Sequence, residues 1–112
     1  MKKLKSKLAA ISANKILDVG TGVGNFISNL ELLKDYKKIV GIDNSREMLE
    51  RAKNNFDKEN IEFVLMDAEN LNYEDNTFDM VSLSNSLHHL AEIDIVLNEM
   101  KRVLKSEGIL NK

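Results

Sequence analysis

The 112-residue chain contains no cysteine and no proline, and each absence narrows what the protein can be. Without cysteine, the chain can form neither a disulfide nor a zinc site built from thiolates. Without proline, its turns must depend on glycine, asparagine, aspartate and serine, the other residue types that favour turns. These four residue types therefore mark the places where we expect the chain to change direction.

Long apolar runs and an excess of positive charge are also missing. No apolar segment approaches the length of a transmembrane helix, so we expect no membrane association. The formal net charge of -2 argues against a nucleic-acid partner, since a general nucleic-acid binder would normally carry a basic surface. The lysine-rich start is too broken for a signal peptide, and Leu4, Leu8 and Ile11 instead predict a short amphipathic helix. A cytoplasmic location is the default expectation.

Apolar runs alternate with stretches of helical period, which is the pattern of βαβ units in a parallel sheet. The length indicates a single domain over residues 1–112. We predict strands at 15–19, 38–42, 61–66 and 78–84, and helices at 24–33, from Ser45 onward and at 93–105. The apolar residues predicted to face the core from the three helices are Phe26, Ile27, Leu30, Leu33, Met48, Leu49, Ala52, Phe56, Ile93, Val96, Leu97, Met100, Val103 and Leu104.

The end of the chain departs from this pattern. Gly108 is expected to stop the third helix, and a fifth strand would begin at Ile109 and be cut short at about 109–112. Such a strand would be shorter than a normal one. The fourth strand would then lie close to an exposed sheet edge, where the chain could associate with another copy of itself.

The most informative segment joins the first strand to the first helix and reads D-V-G-T-G-V-G from Asp18 to Gly24. Its glycines permit positive φ angles and let a ligand approach the backbone closely. The spacing is G-x-G-x-G, whereas the dinucleotide fingerprint G-x-G-x-x-G would need a glycine at Asn25. A phosphate-binding P-loop would need a Gly-Lys-Ser/Thr ending, which the segment lacks. An NAD-dependent oxidoreductase is therefore the weaker interpretation.

Asp18, just before this turn, distinguishes between ligands by their charge. A carboxylate about 5 Å from a pyrophosphate would cost roughly 3 kcal/mol per charge at an effective dielectric constant near 20, and it would favour an ammonium group by a similar amount. S-adenosylmethionine carries an ammonium and a sulfonium and no phosphate. The alternative is that Asp18 only caps the turn and that the glycines only make it tight.

Two further acids follow the next strands. Asp43 lies about twenty residues beyond the glycines, where an acid can accept both ribose hydroxyls. Its alternative role is to cap the second helix, although the next two residues can already do so. Asp67 could accept a hydrogen bond from an adenine amine, or it could cap a short turn through Asn70.

Six motifs in this order resemble one family. They are D-x-G-x-G-x-G at 18–24, V-G-I-D-x-S at 40–45, D-A-E-N-L at 67–71, F-D-M-V at 78–81, L-H-H-L at 87–90 and E-M-K-R-V-L-K-S-E-G at 99–108. Each motif is weak alone, but the ordered set, over about residues 15–110, is similar to the class I S-adenosylmethionine-dependent methyltransferases, in particular their small-molecule type 11 group.

The resemblance implies a three-layer, Rossmann-like α/β fold, with a mostly parallel sheet, helices on both faces and the family's last strands absent. It also implies S-adenosyl-L-methionine as cofactor, S-adenosyl-L-homocysteine as product and a small-molecule methyl acceptor. The residues that it implies for the methionine part are Asp18, Gly20, Thr21, Gly22 and Gly24, and for the ribose Asp43. Those implied for the adenine are Asn44, Met48, Asp67 and Ala68, and those for the path toward the sulfonium are Ser84 and Asn85.

The sequence assigns no catalytic residue. Methyl transfer from a sulfonium can depend mainly on alignment, and a base is needed only if the acceptor must lose a proton. His88 and His89 are adjacent and do not share a helix face, so we predict no metal site and expect them to pack against the third helix. The alternatives to a methyltransferase are a truncated cofactor-binding module without catalysis and an NAD-dependent oxidoreductase.

Overall fold

A computed structural model describes residues 14–32, 36–84 and 93–111 of the chain. In these residues five strands form one sheet, namely β1 (Lys15–Val19), β2 (Lys38–Asp43), β3 (Ile61–Leu65), β4 (Phe78–Leu83) and β5 (Leu104–Asn111). The helices of the same residues are α1 (Ile27–Leu30), α2 (Arg46–Asn55) and α3 (Ile93–Val103). The predicted N-terminal helix lies outside the described residues, as do Leu33, Asn85, His88 and His89.

The sheet is parallel throughout, with the strand order β3-β2-β1-β4-β5. From β1 the chain moves outward to β2 and β3, and it then returns to the other side of β1 for β4 and β5. The carboxyl ends of all five strands therefore lie at one edge of the sheet. The strand order reverses between β1 and β4, and open parallel sheets bind ligands at such a reversal.

Two apolar clusters cover the two faces of this sheet, because successive side chains of a strand point to opposite sides. Ile16 belongs to one cluster and Leu17 to the other. The helix residues buried on the first face are Ile27, Leu30, Leu49 and Ala52. Those buried on the second face are Val96, Met100 and Val103 of α3. The predicted three-layer α/β fold with helices on both faces is confirmed.

The first helix is shorter than the sequence predicts. Residues 22–26 form turns, and α1 begins at Ile27 rather than at Gly24. Gly20, Gly22 and Gly24 have φ angles of 69°, 58° and 91°. A right-handed helix needs φ near -63°, so the helix can start only after the last of these glycines.

The second helix begins where the sequence predicts. The hydroxyl of Ser45 accepts a hydrogen bond from the backbone N–H of Met48 at 3.3 Å and so caps the helix. Leu49 and Ala52 are buried as expected, but Met48 is 40% exposed, and its predicted place in the core is wrong.

The prediction for the end of the chain was also wrong. α3 ends at Val103 rather than at residue 105, and β5 is an eight-residue strand that starts at Leu104. Gly108 lies inside this strand and does not end a helix. In the β4–β5 register, Phe78 pairs with Leu104 and Met80 with Ile109, so a bulge absorbs residues 105–108. This irregularity breaks the alternation of apolar residues from which a strand is predicted.

β4 lies between β1 and β5, so a single strand separates it from the edge of the sheet. In the part of the chain that the structure describes, the outer strands are β3 and β5. Within the same ranges, no helix combines the length and the apolar character needed to cross a membrane.

Candidate functional site

The carboxyl ends of β1, β2 and β4 bring Asp18, Asp43 and Ser84 to the same edge of the sheet. We call residues 20–26, between β1 and α1, the glycine loop. The backbone N–H of Thr21 donates to the carbonyl of Ile42 at 2.9 Å, which ties the loop to the tip of β2. The N–H of Ser84 donates to the carbonyl of Val19 at 2.9 Å, which keeps the chain after β4 beside β1.

Asp18 is fully buried near the end of β1. Its Oδ1 atom accepts hydrogen bonds from the hydroxyls of Ser82 at 2.8 Å and Ser84 at 2.6 Å. Its Oδ2 atom has no hydrogen-bond partner among the described residues. Because an unpartnered buried polar atom is costly, this oxygen has an unused capacity to accept a hydrogen bond from a ligand.

Burial raises the pKa of the Asp18 carboxyl above its ordinary value, because desolvation disfavours the charged form. The hydroxyls of Ser84, Ser82 and Thr21 oppose that rise, and the negative charge of Asp43 adds to it. A cationic ligand group beside the carboxylate would favour its ionised form, so a cation and a buried Asp18 stabilise each other.

The glycine loop leaves part of its backbone open. A Cβ atom added at Gly22 would meet no atom of the described residues within 4 Å, so a ligand can approach the backbone there. A Cβ atom added at Gly24 would instead lie 2.5 Å from the ring of Phe56. Gly22 therefore provides open space at the site, while Gly24 provides the close packing that supports it.

Asp43 ends β2 and connects the glycine loop to α2. Its Oδ2 atom accepts a hydrogen bond from the N–H of Gly22, and its Oδ1 atom accepts one from the N–H of Ser45, both at 2.9 Å. The bond to Ser45 agrees with the alternative that Asp43 helps to start α2. Because each carboxylate oxygen has two lone pairs, each retains one acceptor position for a ligand hydroxyl.

Asp67 follows β3, as predicted, and lies next to the tip of β2. The N–H of Met66 donates to the Asp43 carbonyl at 3.0 Å, and Asp67 itself is exposed. Its Oδ1 atom accepts from the N–H of Glu69 at 2.9 Å, and its carbonyl accepts from the N–H of Asn70 at 3.1 Å. The short turn of the alternative interpretation is therefore present.

The remaining predicted residues differ in their surroundings. Asn44 and Met48 are exposed, and Ala68 is half-buried. Ser84 is exposed, but its hydroxyl already donates to Asp18. Asn85 belongs to the part of the chain that the structure does not describe.

Two residues of the site were not predicted. Ser82 pairs with Asp18 in the β1–β4 register and donates to its carboxylate. A polar residue inside an otherwise apolar strand is the signal that could have indicated this role. Gly41 lets the glycine loop lie close to β2, because a Cβ atom there would be 2.9 Å from Thr21 and 3.1 Å from Phe63.

This donor and acceptor set fits a cationic ligand without phosphate. The carboxylates of Asp18 and Asp43 border the glycine loop, and both would repel a polyanion. In residues 14–32, 36–84 and 93–111, no three or more His, Cys, Asp or Glu side chains form a group that could hold a metal ion.

Comparison with known proteins identifies the family. A family model described as a methyltransferase domain matches residues 17–111. The chain belongs to this methyltransferase family. Membership confirms the family inferred from the six motifs, and it implies S-adenosyl-L-methionine as the cofactor.

Curated relatives give the same result. A ubiquinone/menaquinone biosynthesis C-methyltransferase from Desulfotalea psychrophila is 35% identical, with coverage of 86% of this chain and 39% of the relative. A demethylmenaquinone methyltransferase from Thermotoga maritima is 31% identical, with coverage of 97% and 47%. The chain therefore spans less than half the length of these two relatives.

Solved structures extend the likeness over the whole sheet. The PH0226 protein from Pyrococcus horikoshii has a TM-score of 0.83 and 34% identity, with coverage of 97% of this chain and 53% of that one. A candidate S-adenosyl-L-methionine-dependent methyltransferase from Methanococcus maripaludis has a TM-score of 0.83 and 27% identity, with coverage of 96% and 52%. These similarities support the Rossmann-like methyltransferase fold.

Proposed function

We propose that this chain binds S-adenosyl-L-methionine at the carboxyl edge of its sheet, as the cofactor-binding part of a methyltransferase that acts on a small molecule. The observation that carries the proposal is the fully buried Asp18 carboxylate, whose Oδ2 atom lacks a partner among the described residues. An acceptor in this position favours a donor that is also a cation, which the ammonium group of the cofactor provides.

The glycine loop and Asp43 would hold the next parts of the cofactor. The open backbone at Gly22, with Gly20, Thr21 and Gly24 beside it, has room for the methionine part. Backbone N–H groups fix both oxygens of the Asp43 carboxylate. Each oxygen keeps one free acceptor position, and two such positions suit the two ribose hydroxyls.

The adenine would lie beyond Asp43, between the start of α2 and the end of β3. Met48 and Leu65 are large apolar side chains that remain 40% and 46% exposed, and Leu65 pairs with Asp43 in the β2–β3 register. Apolar surface of this kind suits the faces of an aromatic base, and methionine adapts well to such contacts. Asn44, Asp67 and Ala68 would meet the polar edge of the base.

S-adenosyl-L-methionine, when bound, supplies a methyl group on a sulfonium, a good leaving group. The chain's own residues would bind and align, which can account for much of the acceleration. Ser84 holds Asp18 in place, and we assign Ser84 and Asn85 to the path toward the sulfonium. The names of the relatives, which refer to ubiquinone and menaquinone, support a small-molecule acceptor.

Calorimetry with S-adenosyl-L-homocysteine tests the cofactor. We expect the chain to bind it, and we expect Asp43→Ala to weaken binding by about 1–3 kcal/mol, because that change leaves two ligand hydroxyls without acceptors. Asp57→Ala, a change of the same type at an exposed acid before β3, should leave binding unchanged. If folded protein does not bind S-adenosyl-L-homocysteine, the proposal fails, and tight binding of NAD would favour the oxidoreductase instead.

Methyl transfer is tested separately. S-adenosyl-L-methionine with a labelled methyl group is incubated with the chain and a demethylated quinone as the probe acceptor. Incorporation of label would support transfer by this chain. Binding without incorporation would favour a cofactor-binding module without catalysis.

A further inference from the structure

Segment 66–77 joins β3 to β4, contains neither helix nor strand, and carries two of the residues assigned to the adenine. It runs next to the last turn of α3. The N–H groups of Asn76 and Thr77 donate to the carbonyls of Arg102 and Val103 at 3.0 and 2.7 Å. Its far end is therefore attached to the end of α3.

The side chain of Arg102 spans the middle of the segment. Its Nη1 atom donates to the carbonyl of Tyr73 and to Oδ1 of Asp75, both at 2.8 Å. Its Nη2 atom donates to the carbonyl of Leu71 at 2.9 Å. One planar guanidinium group, with five N–H donors in a fixed fork, thus fixes three positions along the segment.

Glu99 completes this arrangement, and we call Glu99 and Arg102 together the α3 clamp. Oε1 of Glu99 accepts from the N–H of Leu71 at 2.9 Å and from Nη2 of Arg102 at 3.0 Å. Oε2 accepts from Nε of Arg102 at 2.7 Å. Both backbone polar groups of the buried Leu71 are therefore bound by side chains of α3.

The clamp restricts the residues that precede Leu71. The other fixed point is Met66, whose N–H donates to the Asp43 carbonyl at 3.0 Å. Asp67 and Ala68 lie between these two points, in the short turn closed by the hydrogen bond from Asn70 to the Asp67 carbonyl. A shift at Leu71 would therefore move Asp67 relative to Asp43.

We propose that Glu99 and Arg102 are positioning residues for the adenine end of the cofactor, and that they act through segment 66–77 without touching the ligand. The inference rests on the proposed function. A merely structural role for the clamp would lower the stability of the protein but would not distinguish between ligands that differ only at the adenine amine.

The test compares Arg102→Met with Arg51→Met. Arg51 forms an exposed ion pair with Glu47 on α2 at 3.0 Å, so it is a matched arginine away from the segment. Calorimetry measures binding of S-adenosyl-L-homocysteine and of its 6-deamino analogue, in which a hydrogen atom replaces the adenine amine. We expect Arg102→Met to weaken binding of the first ligand about tenfold, as for one lost hydrogen bond, and Arg51→Met to leave it unchanged.

The second ligand and a double mutant test whether Arg102 acts through the contact between Asp67 and the adenine amine. Binding of the 6-deamino analogue should be the same for the wild type and for Arg102→Met. In an Asp67→Ala background, Arg102→Met should have little further effect on S-adenosyl-L-homocysteine, because both changes remove the same interaction. Equal weakening of both ligands, or a full effect in the Asp67→Ala background, would overturn the inference.

The outcomes separate the two proposals. If the wild type does not bind S-adenosyl-L-homocysteine, the proposed function fails. If the wild type binds and Arg102→Met binds equally well, only the clamp inference fails. If Arg102→Met does not fold, Arg102→Lys serves in its place, since lysine keeps the charge but not the planar fork, and it should show a smaller loss confined to the ligand with the adenine amine.

Discussion

The glycine loop and segment 66–77 border the same edge of the sheet, but different kinds of interaction hold them. The loop takes its shape from positive φ angles at three glycines and from hydrogen bonds that the N–H groups of Thr21 and Gly22 donate to β2. The segment takes its shape from the α3 clamp, whose residues lie about 30 positions away in the chain. One wall of the site thus depends on its own glycines and on the neighbouring strand, and the other depends on side chains of a distant helix.

Gly24→Ala is the change in the glycine loop that we expect to destabilise the protein most. We expect it to lower the free energy of unfolding by about 2–5 kcal/mol, because a side chain at φ 91° is strained and would also collide with Phe56. Gly22→Ala has the strain without the collision and should cost about 1–2 kcal/mol. Urea unfolding of both variants measures the difference, and equal losses would show that contact with Phe56 does not matter.

Asp18→Asn should separate ligand binding from stability. The change removes the negative charge, so binding of S-adenosyl-L-homocysteine should fall by at least about tenfold at neutral pH. The free energy of unfolding should not fall, because burial raises the pKa of this carboxyl and its charge therefore adds nothing to the stability of the ligand-free protein. Calorimetry and urea unfolding are the two measurements. A simultaneous loss of stability would mean that the charge itself supports the fold.

Arg102→Met sharpens the contrast between the two walls. We expect faster hydrogen exchange at the N–H groups of Leu71 and Asn76, which are bound to Glu99 and to the Arg102 carbonyl. Exchange at Thr21, in the glycine loop, should stay unchanged, since its partner is the Ile42 carbonyl. Hydrogen-exchange rates measured residue by residue in the wild type and in Arg102→Met test this prediction. Equal acceleration at both walls would show that the loop also depends on α3.

Acid should change the stability contributions of Glu99, in the α3 clamp, and of Asp18, beside the glycine loop, in opposite directions. This is the smallest effect that we predict. The hydrogen bonds from Arg102 lower the pKa of Glu99 below its ordinary value of 4.5, so the stability that Glu99 contributes is complete above that value and is lost as the pH falls through the folded-state pKa. Asp18 has a raised pKa, so its contribution is complete below its ordinary value of 3.8 and is lost as the pH rises through the folded-state pKa.

Hydrogen exchange at Leu71 should therefore accelerate as the pH falls below about 4.5, once the intrinsic pH dependence of exchange has been subtracted. Glu99→Gln should remove this step, because glutamine does not titrate. A step of the same size in the variant would assign the acid response to another group.

Much of the fold followed from sequence pattern. The first four strands lie within about one residue of their predicted ends, because each is a short apolar run bounded by turn residues. Asp18, Asp43 and Asp67 were predicted at strand tips because each follows or ends such a run. β5 was predicted too short, since its bulge interrupts the alternation that marks a strand. Met48 matched a helical period but is exposed in the structure.

The sequence by itself determined the order of elements, the parallel sheet and the glycine loop, because periodicity, turn residues and positive φ angles are properties of neighbouring residues. Only the tertiary structure decided that Ser82 and Ser84 bind one oxygen of Asp18 and leave the other without a partner among the described residues. It also decided that Arg102 and Glu99 hold the segment after β3. These contacts join residues far apart in the chain, and no local pattern specifies which distant side chain completes a hydrogen bond.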